Sequence, residues 1–64
     1  MTDAKIRHLV AVKTELAEKY TRKARISNSD NLRRQAEHRA RAHRRKARAL
    51  SDLLAFRERE AAAA

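Results

Sequence analysis

The chain of 64 residues contains no glycine, no proline, no cysteine and no tryptophan. Without cysteine, neither a disulfide nor a Cys-based zinc site can staple so short a chain, and the absence is compatible with a reducing compartment. Without glycine there is no flexible loop of the kind that cradles nucleotide phosphates. Aromatic residues are reduced to Tyr20 and Phe56, too few to build a stacking platform for single-stranded bases. No apolar run approaches the length of a membrane span or a signal-peptide core. The expectation is therefore a soluble, unprocessed, cytoplasmic protein with no membrane partner. A membrane-surface amphipathic helix is also disfavoured, because the apolar positions are rich in alanine and lack tryptophan.

Positive charge is abundant. Seventeen Lys and Arg face eight Asp and Glu, for a net charge of +9. The excess is localised: residues 27–48 carry eight basic and two acidic groups, whereas residues 49–64 carry two and three. A basic concentration of this kind implies a polyanionic partner, most often a nucleic acid.

Alanine, leucine, arginine, lysine and glutamate dominate, and these cost little in a helix. The one break is ISNSDN, residues 26–31, a run of poor helix formers. The chain thus reads as one all-α domain over residues 1–64, an antiparallel hairpin of two helices at about 3–26 and 30–60. The turn falls at 27–30 and a frayed tail at 61–64. Thr2 and Asp3 are placed to start the first helix, Ser29 or Asp30 to cap the second, and Asn28 to take a left-handed conformation between them. Acid-to-base pairs recur at i,i+4: Asp3–Arg7, Glu15–Lys19, Glu18–Arg22, Asp30–Arg34 and Glu37–Arg41.

An apolar stripe on each helix favours the hairpin over one straight rod. Ile6, Leu9, Leu16, Tyr20 and Ala24, with Lys13 among them, form the first. Leu32, Ala36, Ala40, Ala47, Leu50 and Leu54, with His43 among them, form the second. Folding about Asn28 matches Ala24 with Leu32, Tyr20 with Ala36, Leu16 with Ala40, Lys13 with His43, Leu9 with Ala47 and Ile6 with Leu50. Four of these pairs set a large side chain against alanine, which permits close helix approach. Val12, Ala49, Leu53 and Phe56 fall outside the stripes. They are the candidate oligomer interface, and they predict a homodimer in the form of a four-helix bundle.

At about 100° per residue, Arg33, Arg34, Arg41, Arg44, Arg45 and Arg48 occupy roughly one third of the second helix's circumference. Guanidinium groups in a row suit a row of phosphates, where each can make forked hydrogen bonds. Lys19, Arg22, Lys23 and Arg25, near the turn, extend the candidate surface. No catalytic constellation accompanies it. His38 and His43 are five residues apart and lie on different faces of a helix, unlike metal ligands at i,i+3 or i,i+4. No carboxylate dyad emerges, and no serine has a base beside it. The chain is expected to be non-enzymatic, with no cofactor, no metal and no small-molecule substrate.

Asn31 and Arg39 reproduce the Asn-x7-Arg spacing of bZIP basic regions, which Arg39-Ala40-Arg41 also resembles. Arg34 and Gln35 replace the alanine pair of that pattern, and LSDLLAFREREAAAA supplies no leucine zipper. In length and topology the chain resembles Rop, the plasmid RNA-binding helical hairpin that dimerises into a four-helix bundle, with no shared motif. Its Arg- and Ala-rich style resembles short proteins of actinobacteria and their phages. The function expected is phosphate-directed binding of structured RNA or duplex DNA, with weak sequence specificity. The alternative is a protein-interaction or structural module, such as a small phage or bacterial factor docking on an acidic protein.

Overall fold

The computed structural model describes residues 1–63. They form two helices, α1 (Asp3–Ile26) and α2 (Asp30–Ala63), with no strand among the described residues. Thr2 is extended and caps α1, its hydroxyl accepting from the Lys5 N–H at 3.2 Å. Asp3 in the first turn and Lys23 and Arg25 in the last place charge favourably along the helix dipole. Neither helix among the described residues is long and apolar enough to cross a membrane.

The reversal is made by ordinary backbone. Ser27 is extended, with φ −73° and ψ 133°, and its hydroxyl donates to the Lys23 carbonyl at 2.7 Å. Ser29 opens α2: its side-chain oxygen accepts from the Leu32 N–H at 3.5 Å, and its carbonyl from the Arg33 N–H at 2.9 Å. The left-handed conformation expected at Asn28 is not there, since no described residue has a positive φ. Asn28 and Ser29 complete the bend after Ser27, and serine side chains take up groups that the helix ends leave unpaired. At the other end α2 continues through Ala63, so residues 61–63 of the expected frayed tail are helical. Alanine has the highest helix propensity of all residues. Ala64 lies outside the described residues.

The two helices form a hairpin 53 Å long and about 15 Å across. Its length is that of α2, since 34 residues rise about 1.5 Å each. The first turn of α1 meets the end of α2: Arg57 Nε lies 3.1 Å from Asp3 Oδ1, and the Arg57 guanidinium donates to the Met1 carbonyl at 2.9 Å. Arg7 pairs with Glu58 at 3.2 Å. Nearer the turn, Tyr20 stacks on His43 and Thr21 meets Arg44.

The seam is built from small residues. Its buried members are Ile6, Ala17 and Ala24 on α1 and Ala36, Ala40 and Ala47 on α2. Ala17 was absent from the expected stripe, while Leu9, Leu16 and Tyr20 are only half-buried and Leu32 is 57% exposed. The facing partners differ at Tyr20, while Lys13 lies near enough to His43 to act on its charge, as expected. Tyr20 stacks on His43, about two turns of helix beyond the alanine expected opposite it. Ala24 shares a groove with Ala40, Glu37 and Arg33. Alanine set against alanine lets the backbones approach closely, which moves the larger residues from the seam to one flank. Among the described residues Ile6 is the one large side chain that is fully buried.

The charge pairs also run differently. Asp3 and Arg7 bond across to α2, and Asp30 pairs with Arg33 at 3.4 Å, at i,i+3. None of the five expected i,i+4 pairs closes to ion-pair distance. Flexible arginines reach whichever carboxylate the hairpin brings near, and each exposed pair adds little to stability.

Candidate nucleic-acid interface

The hairpin has two broad faces of different character. On one, Thr21, Ala24 and Arg25 of α1 and Arg33, Glu37, Ala40, Arg41 and Arg44 of α2 line a groove of about 580 Å³. Glu37 is its only acid against four arginines. Arg41 and Arg44 continue into a second recess that they share with Arg45 and Arg48. Arg34, on the same arc of α2, is exposed. Five of the six candidate α2 arginines are thus gathered along one side, joined from α1 by Arg25.

The remaining candidates divide. Lys19, Arg22, Lys23 and Arg25 line a separate recess with Ile26. Lys23 also belongs to the opposite face, where it shares a cavity with Tyr20, Ile26, Leu32, Gln35 and Arg39. There the Lys23 ammonium and the Arg39 guanidinium each lie 5.6 Å from the centre of the Tyr20 ring, within cation–π range. Arg39 and Tyr20 form a small cation–aromatic cluster that helical projection alone does not bring together.

Two members of the basic face are already held. The Arg33 guanidinium donates to the Ser27 carbonyl at 3.2 Å and to Asp30 at 3.4 Å, which ties it to the turn. Arg44 donates to the Thr21 hydroxyl at 3.2 Å, and that hydroxyl in turn donates to the Ala17 carbonyl at 2.8 Å. Thr21 was no candidate from sequence, yet it orients an arginine of the groove. Its only sequence signal is a hydroxyl one turn after Ala17. No carboxylate pairs with Arg41, Arg45 or Arg48 among the described residues, so their donors remain available to an anion.

His43 lies in the seam as a stacked residue, its ring 5.7 Å from that of Tyr20 and 9° from parallel. Its buried Nδ1 has no hydrogen-bond partner among the described residues. Its pKa is lowered from the usual 6.5, chiefly because burial disfavours the charged ring and further because Lys13 and Lys46 are positive. The unfolded chain therefore binds this proton more readily than the folded one. The corresponding stability is complete above about pH 6.5 and is lost as pH falls through the lower folded-state value. Thermal melts between pH 7.5 and 4.5 are expected to show a decline that His43→Gln flattens; an unchanged slope in the variant counts against this role.

The chain matches no protein-family model, no curated protein and no solved structure.

Proposed function

We propose that the protein is a non-enzymatic, nucleic-acid-binding antiparallel hairpin that dimerises as a four-helix bundle and holds the phosphates of structured RNA or duplex DNA. The observation that carries this reading is the groove in which Arg25, Arg33, Arg41 and Arg44 meet a single acid, Glu37. Arg45 and Arg48 prolong it along α2. Such a surface is costly to hold together unless anions lie against it, and charge-assisted bonds to phosphate oxygens supply that compensation. Contacts to phosphates carry little base information, so weak sequence preference follows.

Fluorescence anisotropy with a labelled RNA hairpin and a labelled DNA duplex tests the proposal across a salt titration. Binding is expected at low salt with at least one of the two, weakening linearly on a log–log plot as counterions compete. No anisotropy change with either probe at low salt would remove the reading.

A further inference from the structure

The half of the arginine groove nearer the turn holds one residue that phosphate binding does not use. Glu37 lies one helical turn from Arg33 and one from Arg41 on the same stripe of α2, and all three line the groove. Neither arginine pairs with it. Arg33 is held by Asp30 and by the Ser27 carbonyl. The ion pairs among the described residues are Arg33–Asp30, Arg7–Glu58 and Arg57–Asp3. Arg44, further along the groove, is held by Thr21. Glu37 is exposed, so its carboxylate is open to a ligand. The buried alanines Ala24 and Ala40 line the groove beside it, and their small side chains leave that space free.

A strand lying along Arg41, Arg44, Arg45 and Arg48 is held by its phosphates. Carried on towards the turn it meets Glu37, which repels phosphate and, as a carboxylate, only accepts hydrogen bonds. Whatever part of the nucleic acid lies there must donate. A ribose hydroxyl offers a single donor. Guanine alone among the common bases sets two donors side by side, N1–H and an N2–H, at the spacing of two carboxylate oxygens. Adenine and cytosine put a ring-nitrogen acceptor beside their amine, and uracil flanks its N3–H with carbonyls, so each brings an acceptor against a carboxylate oxygen. The other edge of guanine carries O6 and N7, the acceptors that guanidinium groups bind. One acid among arginines is therefore the complement of guanine's two edges.

We infer that Glu37 is a specificity-determining residue of the groove and that it reads the Watson–Crick edge of an unpaired guanine in a structured RNA. In a duplex that edge is taken by the opposite base, whereas loops and bulges of RNA present it. Two charge-assisted hydrogen bonds to one base are strong enough to rank the four bases. This rests on the proposed phosphate binding and adds one base contact to a surface otherwise blind to sequence.

RNA hairpins that share one stem and a uracil loop, with a single guanine, adenine, cytosine or inosine placed at each loop position in turn, are titrated by anisotropy at fixed low salt. With the guanine in its best position, binding is expected to be about tenfold or more tighter than to the uracil, adenine and cytosine loops. Inosine keeps N1–H but lacks the N2 amine, and its hairpin is expected to fall between. Glu37→Gln replaces one acceptor oxygen by a donor and is expected to bind all the hairpins within about twofold of one another. Its affinity for the adenine hairpin is expected to equal or exceed the parent's, because a charge that repels phosphate is gone; a misfolded variant would bind every hairpin more weakly. Equal binding of all the hairpins by the parent would overturn the inference and leave the phosphate reading standing. A guanine preference that survives Glu37→Gln would overturn it as well. Failure to bind any hairpin also sinks it, and if duplex DNA is not bound either, the proposed function falls with it.

Discussion

Replacing Arg41, Arg44, Arg45 and Arg48 with glutamine is expected to reduce affinity for duplex DNA by about 100-fold or more at low salt. The four side chains line one recess, so a polyanion lying there meets all of them together. Each phosphate contact displaces condensed counterions, and the slope of log affinity against log salt is about −0.9 per contact on B-form DNA. Removing four contacts therefore reduces the magnitude of that slope by about 3–4. The flattened slope matters more than the weaker binding, because a misfolded variant also binds poorly but has no reason to lose salt sensitivity in proportion. Glutamine is shorter than arginine and has two N–H donors where arginine has five, but it removes the charge and stays compatible with a helix, and the salt slope reads the charge that is lost. Arg59→Gln, an exposed position beyond the groove, serves as the control. If the quadruple variant keeps the parent's slope, the phosphates lie elsewhere on the protein.

Ile6→Ala is expected to be the most destabilising single truncation. Among the described residues Ile6 is the only large side chain with no exposure, and the other buried residues are alanines. Truncations of this kind cost about 2–5 kcal/mol, part of it from the cavity left behind. A chain this small has about 3–5 kcal/mol from its core, so the loss is comparable to the whole. Loss of most helical circular dichroism at 25 °C is the expected outcome, with Ile6→Val retaining it at a cost of about 0.5–1.5 kcal/mol. An Ile6→Ala protein that melts with the parent would mean the seam is not what holds the helices together.

The helices and their break were legible because each depends on local chemistry. Thr2 and Ser29 act as caps through their own hydroxyls, and a run without a single glycine or proline outside or inside the helices left SNSD as the place to turn. The packing was less legible. Leu16 outranks Ala17 in hydrophobicity, yet Ala17 takes the seam because the backbones approach closely there. Apolar rows of 3.5- and 3.6-residue period diverge over the length of α1, so a projection cannot say which row faces inward. Once the seam rotates, the partners shift, and Tyr20 stacks on His43 while it lines one cavity with Ala36.

The candidate site followed the same division. The arginine row on α2 could be counted from spacing alone, since it lies within one helix. Which α1 residues join it depends on how the two helices meet. Arg25 enters the groove beside Arg33 and Arg41, whereas Lys23, two residues earlier, is carried to the Tyr20 face. The expected i,i+4 ion pairs failed for a related reason: a long side chain finds Glu58 or Asp3 across the hairpin as readily as a neighbour one turn away.

The reversal at Ser27 has a thermodynamic consequence. It uses no left-handed residue, and the hydrogen bonds that hold it are few and exposed. If α2 of one chain lies on α1 of another, every seam contact is reproduced, and only the bonds local to the turn are altered. What favours closure within one chain is proximity: a three-residue tether gives α2 an effective concentration about α1 in the millimolar range. Stiffening that tether into continuous helix removes the advantage and leaves arm exchange between chains as the remaining way to bury Ile6 and the alanines.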